Sequence, residues 1–201
     1  MKLAKIGFIV IFAAIWSFSC ASAGGAAVER QVVEVYRWTF ENPEAGTAGW
    51  GLAPEEYWDF NGSISLSRDD KTLGKPMLRV NVDFSADVES WWSEPKLKYD
   101  FDTPVQLTEV SSVVFDFYYN PYYSSKGSFK SKVIGFYESK SIIEAELDSI
   151  RADEEVGDYQ KATVRLRFPR SSGAIDSLRL GIVGAVTDYN GPVFIDNLRM
   201  E

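Results

Sequence analysis

The chain has 201 residues, with 29 acidic and 21 basic side chains, one cysteine and no histidine, and its formal net charge is -8. Without histidine, the sequence excludes a Ser-His-Asp triad, a Cys-His pair and an ordinary zinc site, so any catalysis would use carboxylates, tyrosine or lysine. An acidic chain without a lysine-rich block is also a poor partner for nucleic acid or an anionic membrane surface, which bind positive faces.

The first residues predict export. Lys2 and Lys5 precede an apolar run over residues 6–15, and Ala21-Ser22-Ala23 supplies small residues for cleavage. This is the pattern of a secretory signal peptide, and the run is too short to be a good membrane span. We therefore predict a signal peptide over residues 1–23, a short linker over 24–31 and a single domain over 32–201. The product is secreted, extracellular or periplasmic, and has no integral membrane span.

Cys20 adds an alternative. Ser17-Phe18-Ser19-Cys20 is a loose version of the bacterial lipoprotein signal, in which the cysteine becomes the lipidated N-terminus. A surface lipoprotein anchored at Cys20 is therefore the second prediction for localisation.

Beyond the leader, apolar residues alternate with polar ones, and turn residues separate the segments. The pattern predicts strands and a turn at Asn190-Gly191-Pro192, and residues 141–152 are the one segment that could carry a helix. The predicted strands cover residues 32–40, 63–67, 77–84, 97–101, 113–119, 132–137, 162–168, 178–183 and 193–200. About nine or ten short strands without crossover helices indicate an all-β fold, an antiparallel β-sandwich of the jelly-roll type.

The tryptophans are the first candidates for a binding site. Trp38 lies in a predicted strand and is expected in the core, whereas Trp50 and Trp58 lie in a glycine-rich loop that offers less packing. Trp91 and Trp92 are adjacent, so an extended chain points them to opposite faces. The parity of the following strand favours Trp91 inward and Trp92 outward.

Exposed aromatic rings beside polar strand residues suit a polysaccharide, because rings stack on the C–H faces of sugars and polar groups bond to the hydroxyls. The sequence supplies candidate polar groups on strands, although such residues are often simply solvated. They are Asn81, Asp83, Asp116, Arg165 and Arg167.

Four segments, WTFENPEAGTAGWG, KPMLRVNVDFSADVESWW, VSSVVFDFYYNP and LRLGIVGAVTDYNGPVFIDNLRM, resemble the mannan-binding carbohydrate-binding modules of family 27 found on bacterial β-mannanases. The resemblance implies a galactose-binding-like jelly roll that binds β-1,4-mannan, glucomannan or galactomannan in a groove. Trp50 and Trp91 or Trp92 fall where the family's stacking tryptophans lie, and Tyr159 replaces a further family tryptophan. The resemblance also implies a structural Ca²⁺, with Glu41 and Asp196 at the matching positions.

Two other functions remain open. Glu144, Glu146 and Asp148 alternate, but their order and spacing do not match the carboxylates of sandwich glycosidases, so a hydrolase is the less favoured reading. The stronger alternative is a structural or adhesive extracellular subunit whose tryptophans bury against a protein partner. A groove with interleaved polar groups would favour the glycan, and a flat apolar patch would favour the protein contact.

Overall fold

A computed structural model describes residues 34–53, 62–85 and 93–201. The compact unit to which they belong spans residues 32–201. Its strands, in chain order, are β1 (Tyr36–Arg37), β2 (Gly51–Leu52), β3 (Ser63–Asp69), β4 (Met77–Asp83), β5 (Lys96–Gln106), β6 (Ser112–Tyr119), β7 (Ser128–Tyr137), β8 (Lys140–Leu147), β9 (Glu154–Val156), β10 (Tyr159–Arg167), β11 (Ala174–Ala185) and β12 (Asn190–Met200).

The strands form two antiparallel sheets, which confirms the predicted β-sandwich. The seven-stranded sheet has the order β3-β4-β12-β6-β10-β9, with β1 also paired to β12, and the five-stranded sheet has the order β2-β5-β11-β7-β8. One apolar cluster joins the inner faces of both, with Phe115 and Val193 from the first sheet and Leu97 and Leu178 from the second. Alternation therefore places every second side chain on one of two outer faces.

The structure differs from three local expectations. The segment that could have carried a helix forms β8 instead, because its apolar residues Ile143 and Ala145 alternate into the core and pair with β7. Asn190-Gly191-Pro192 does not form a turn but begins β12, with Asn190 opposite Asp83 on β4. The first predicted strand shortens to β1 within the described residues.

The two described 3-10 turns, Pro43–Ala45 and Pro121–Tyr123, are each capped by an asparagine side chain and begin with proline. Across the described ranges, no helix has the length and apolar character needed to cross a membrane.

Candidate functional site

Trp50 is buried, contrary to the prediction that it stacks on a sugar. The glycine-rich loop folds back onto the inner face of the five-stranded sheet, where β2 pairs with β5, and leaves Trp50 only 3% exposed. Its ring packs 5.3 Å from Trp38 and 5.5 Å from Tyr99, measured between ring centroids. Trp38 is buried as expected. In this conformation neither ring offers a face on which a sugar could stack. Trp58, Trp91 and Trp92 lie outside the described residues.

The predicted polar residues do not form one site. Asp83 faces Asn190 at one end of β12, whereas Arg165 lies on β10 opposite Val114, which itself pairs with Arg199 near the other end. At roughly 3.3 Å per residue, the two ends of β12 are about 30 Å apart. Most of these side chains also bond to neighbouring residues of the protein.

The local partners of these side chains are within the protein. Asn81 donates to Ser65 Oγ and accepts from Arg79 Nε, and Asp83 accepts from the backbone N–H of Ser85. Arg165 donates to Ser112 and to the Glu201 carboxylate. Arg167 is exposed on β10, and Asp116 is buried with bonds from Thr163 and Asn197.

Tyr159 lies on the outer face of the seven-stranded sheet. Its ring meets Phe194 edge-on at 5.4 Å, and burial raises the pKa of its hydroxyl. It belongs to a second apolar cluster outside the main core, which comprises buried Met77, Tyr118 and Phe194 together with Leu73, Val156 and Tyr159. We call this surface the closed face, because its apolar side chains are already covered by the chain.

The surroundings of Asp196, one of the two residues expected to bind calcium, do not fit the ion. Asp196 Oδ2 accepts a hydrogen bond from Lys75 Nζ at 2.6 Å, and the same ammonium donates to the Tyr118 hydroxyl at 2.9 Å. Burial alone would lower the pKa of Lys75, but these bonds raise it above its ordinary value. The described residues also contain no group of three or more acidic, histidine or cysteine side chains able to hold a metal. A Ca²⁺ ion needs six or more oxygen ligands, and here one of the two expected carboxylates holds an ammonium.

The outer face of the five-stranded sheet is polar and less covered, and we call it the open face. Cross-strand pairing fixes its membership, since directly opposed residues share a face. Lys98, Arg179, Ile134 and Glu144 form one row across four strands. Flanking rows contain Lys96, Gly181, Lys132 and Glu146 on one side and Asp100, Ser177 and Phe136 on the other.

Arg179 is the centre of this face. Its side chain is 8% exposed, and its guanidinium lies 5.0 Å from the centroid of the Phe136 ring and 3.9 Å from Asp100 Oδ1. Stacking and charge both restrain the planar group, so its donors have a fixed direction. A groove of about 450 Å³ runs beside it, lined by Lys98, Asp100, Phe136, Glu138, Asp176 and Arg179.

Residues 93–95 pack against β11 beside the open face. Ser93 forms a β-bridge with Gly184, and the Ile182 N–H donates to the Pro95 carbonyl. Between them, Glu94 lies over Gly181, where an added Cβ would stand 2.9 Å from Glu94 Oε1. A side chain at 181 would displace the flexible end of the Glu94 side chain. Glu94 Oε1 lies 3.6 Å from Lys96 Nζ.

Sequence reasoning missed Arg179 and Phe136. The usable signal was alternation, because Arg179 stands between the core residues Leu178 and Leu180 and must point outward. What the sequence does not reveal is which sheet each outward residue joins, since that depends on pairing between distant strands. The expected polar set lies on the seven-stranded sheet, whereas the groove beside Arg179 lies on the five-stranded sheet.

Comparison with known proteins identifies the family. The model for carbohydrate binding module 27 matches residues 54–201. The chain belongs to this family. Its members are non-catalytic carbohydrate-binding modules, and the earlier resemblance is confirmed. No curated protein matches the chain at a significant level.

Solved structures confirm the fold. The mannan-recognising module TmCBM27 is 24% identical, with 84% of this chain and 96% of that one covered and a TM-score of 0.63. CBM27-1 of Caldicellulosiruptor saccharolyticus, solved with mannohexaose, is 20% identical with 83% and 97% covered and a TM-score of 0.63. A CBM28 module specific for non-crystalline cellulose is 19% identical, with 76% and 88% covered and a TM-score of 0.55. At these identities the likeness concerns the sandwich and not the ligand.

Proposed function

We propose that this protein is an exported, non-catalytic module that binds a β-1,4-mannan or glucomannan chain on the open face. The observation that carries the proposal is the groove in which Arg179 is stacked on Phe136 between Lys98 and Asp100. Family membership supports the ligand class, because two similar modules are described with mannan recognition and with mannohexaose.

The chemistry of the groove suits a neutral polysaccharide. Phe136 offers an aromatic ring, and both charge signs supply donors and acceptors for sugar hydroxyls on either side of it. A protein contact needs continuous apolar area instead. In the described ranges the exposed large apolar side chains are Tyr122, Tyr123, Tyr137 and Ile142. The first two lie on a 3-10 turn, whereas the last two lie on β7 and β8. The groove therefore favours the glycan over the structural-subunit alternative.

We infer that Trp92 supplies the main stacking ring. Glu94 follows Trp92 by two positions, and its side chain lies on the open face. Alternation along an extended chain favours the same face for residues two positions apart. Trp91 and Trp58 stay secondary candidates, and Trp50 supports the sheet from its inner side.

The acidic residues of β8 have a binding role in this proposal and not a catalytic one. Glu144 Oε1 accepts from Lys132 Nζ at 2.7 Å, which fixes a charged pair at the edge of the open face. We further propose that the leader directs export, with cleavage after Ala23 or lipidation at Cys20 as the two routes.

Affinity electrophoresis tests the proposal. The protein should be retarded in gels containing galactomannan or glucomannan, and less so with xylan or β-glucan. Trp92→Ala and Arg179→Gln should each weaken binding about tenfold or more, equivalent to about 1.4 kcal/mol. Arg167→Gln is the matched control, because this arginine is exposed on the other sheet and should leave retardation unchanged.

Two results would contradict the assignment. Unretarded migration in every gel would shift the function to a protein contact. Full retardation of a folded Arg179→Gln variant, with loss in Arg167→Gln, would place the glycan on the seven-stranded sheet.

A further inference from the structure

A second cleft lies at one open end of the sandwich, between the two sheets. Tyr119 and Gln160 line it from the seven-stranded sheet, and Ser128 and Phe129 line it from the five-stranded sheet. Its volume is about 300 Å³, at the lower limit of small-molecule sites. We call it the Tyr119 pocket. It suits a compact ligand and not a long chain.

Two polar side chains that line the pocket have no hydrogen-bond partner among the described residues. Tyr119 and Gln160 are directly opposed across β6 and β10, so both side chains lie on the same face of the sheet. Within the described part of the chain, neither the Tyr119 hydroxyl nor the Gln160 side-chain amide makes a hydrogen bond. Burial raises the pKa of Tyr119, which keeps its hydroxyl a donor.

The floor of the pocket is apolar. Phe129 and Ile150 are 5% and 6% exposed, and the Ile150 N–H donates to the Phe129 carbonyl at 2.8 Å. The Tyr119 ring centroid lies 5.4 Å from that of Phe129, which in turn lies 4.9 Å from that of Tyr189. Unpaired neutral donors and acceptors therefore stand above fixed aromatic and aliphatic side chains.

The turn over residues 124–127 forms one wall of the pocket, and hydrogen bonds hold it in place. The Asp188 carboxylate accepts from the Ser124 and Ser125 hydroxyls and from the backbone N–H groups of Ser125 and Lys126. These bonds hold the pKa of Asp188 well below its usual range. Gly127 completes the turn at φ +83°, where an added Cβ would stand 2.5 Å from the Val186 carbonyl oxygen. A preformed wall lowers the ordering cost of binding.

We propose that the Tyr119 pocket is a second carbohydrate site, which binds a single neutral pyranose unit. Its groups match a sugar because an amide and a phenol can bond to hydroxyls while the apolar floor contacts a C–H face. It is separate from the open face, since Phe129 and Phe136 are seven residues apart on β7, about 23 Å at roughly 3.3 Å per residue. The proposal thus goes beyond the polysaccharide groove and does not depend on it.

Amide NMR with methyl β-D-mannopyranoside as the probe tests the pocket, with methyl β-D-glucopyranoside as the second sugar. We expect saturable shifts of the Gly127, Ser128 and Gln160 amides. Gln160→Ala and Tyr119→Phe should each raise the Kd about tenfold or more, while the remaining amide spectrum shows an intact fold. Gln106→Ala is the matched control, because this glutamine is exposed on β5.

The outcomes separate this site from the groove. Arg179→Gln should leave the shifts at Gly127 and Ser128 unchanged even if it abolishes retardation by mannan. Shifts confined to Ile134 and Gly181, or an unchanged Kd in Gln160→Ala, would overturn the pocket and leave the groove intact. Absence of any shift with both sugars would overturn it too.

Discussion

The two outer faces of this sandwich both arise from alternating side chains, but one is covered by the chain and the other carries a groove. On the closed face, Phe194 and Tyr118 are buried beneath Tyr159, with Lys75 held over the Tyr118 ring at 5.1 Å from its centroid. On the open face, Arg179 and Phe136 line a groove. Under the proposed function, an outward aromatic such as Phe136 binds glycan only where a groove leaves its ring accessible.

The largest expected effect tests that distinction directly. Phe194 is 0% exposed, so Phe194→Ala should lower the free energy of unfolding by about 3–5 kcal/mol through lost burial and a residual cavity. Phe136 is only partly buried, so Phe136→Ala on the open face should change the free energy of unfolding by less than about 1 kcal/mol yet weaken glycan binding. Urea unfolding of both variants beside affinity electrophoresis measures the contrast. Equal losses of stability would show that both faces are structural.

The second test concerns the ion pair on the closed face. Lys75→Met leaves the Asp196 carboxylate, whose side chain is 17% exposed, without its ammonium partner, and should destabilise the fold by about 1–3 kcal/mol. With lysine present we expect a chelator to leave the Tm unchanged, because the ammonium already neutralises Asp196.

The same measurement can reverse the conclusion about calcium. A fall in the Tm of the unaltered protein on adding chelator, restored by Ca²⁺, would show that an ion displaces Lys75 from Asp196. Arg37→Met is the control for Lys75→Met. Its partner Glu34 is an exposed neighbour three residues away, and such pairs contribute little to stability.

Alternation predicted the fold because it depends only on neighbouring residues: Leu78, Val80 and Val82 all enter the core, as their spacing requires. The site was less accessible. Trp50 looked exposed because a loop offers few local contacts, yet the pairing of Gly51 with Lys98 draws it inward. The position of Arg179 beside Phe136 likewise follows from the register of β11 against β7, which joins residues about forty positions apart in the chain and leaves no local pattern.

The smallest effect compares carboxylates on the two sheets across pH. Glu201, with its side chain 7% exposed, accepts from Arg199 Nε at 2.7 Å and from Arg165. Burial would raise the pKa of Glu201, but the two arginines lower it below its ordinary value of 4.5. A lowered pKa stabilises the fold above about pH 4.5, and that contribution disappears as the pH falls through the folded value.

Glu201→Gln should therefore cost about 1 kcal/mol at pH 7, and this cost should shrink as the pH falls below about 4.5 towards pH 3. Glu144→Gln on the open face is the control, because its carboxylate side chain is 44% exposed and should change stability by no more than about 0.5 kcal/mol at either pH. Thermal unfolding of the three proteins at both pH values measures the difference. A pH-independent cost for Glu201→Gln would assign the stabilisation to shape and not to charge, and would remove the electrostatic part of the contrast between the sheets.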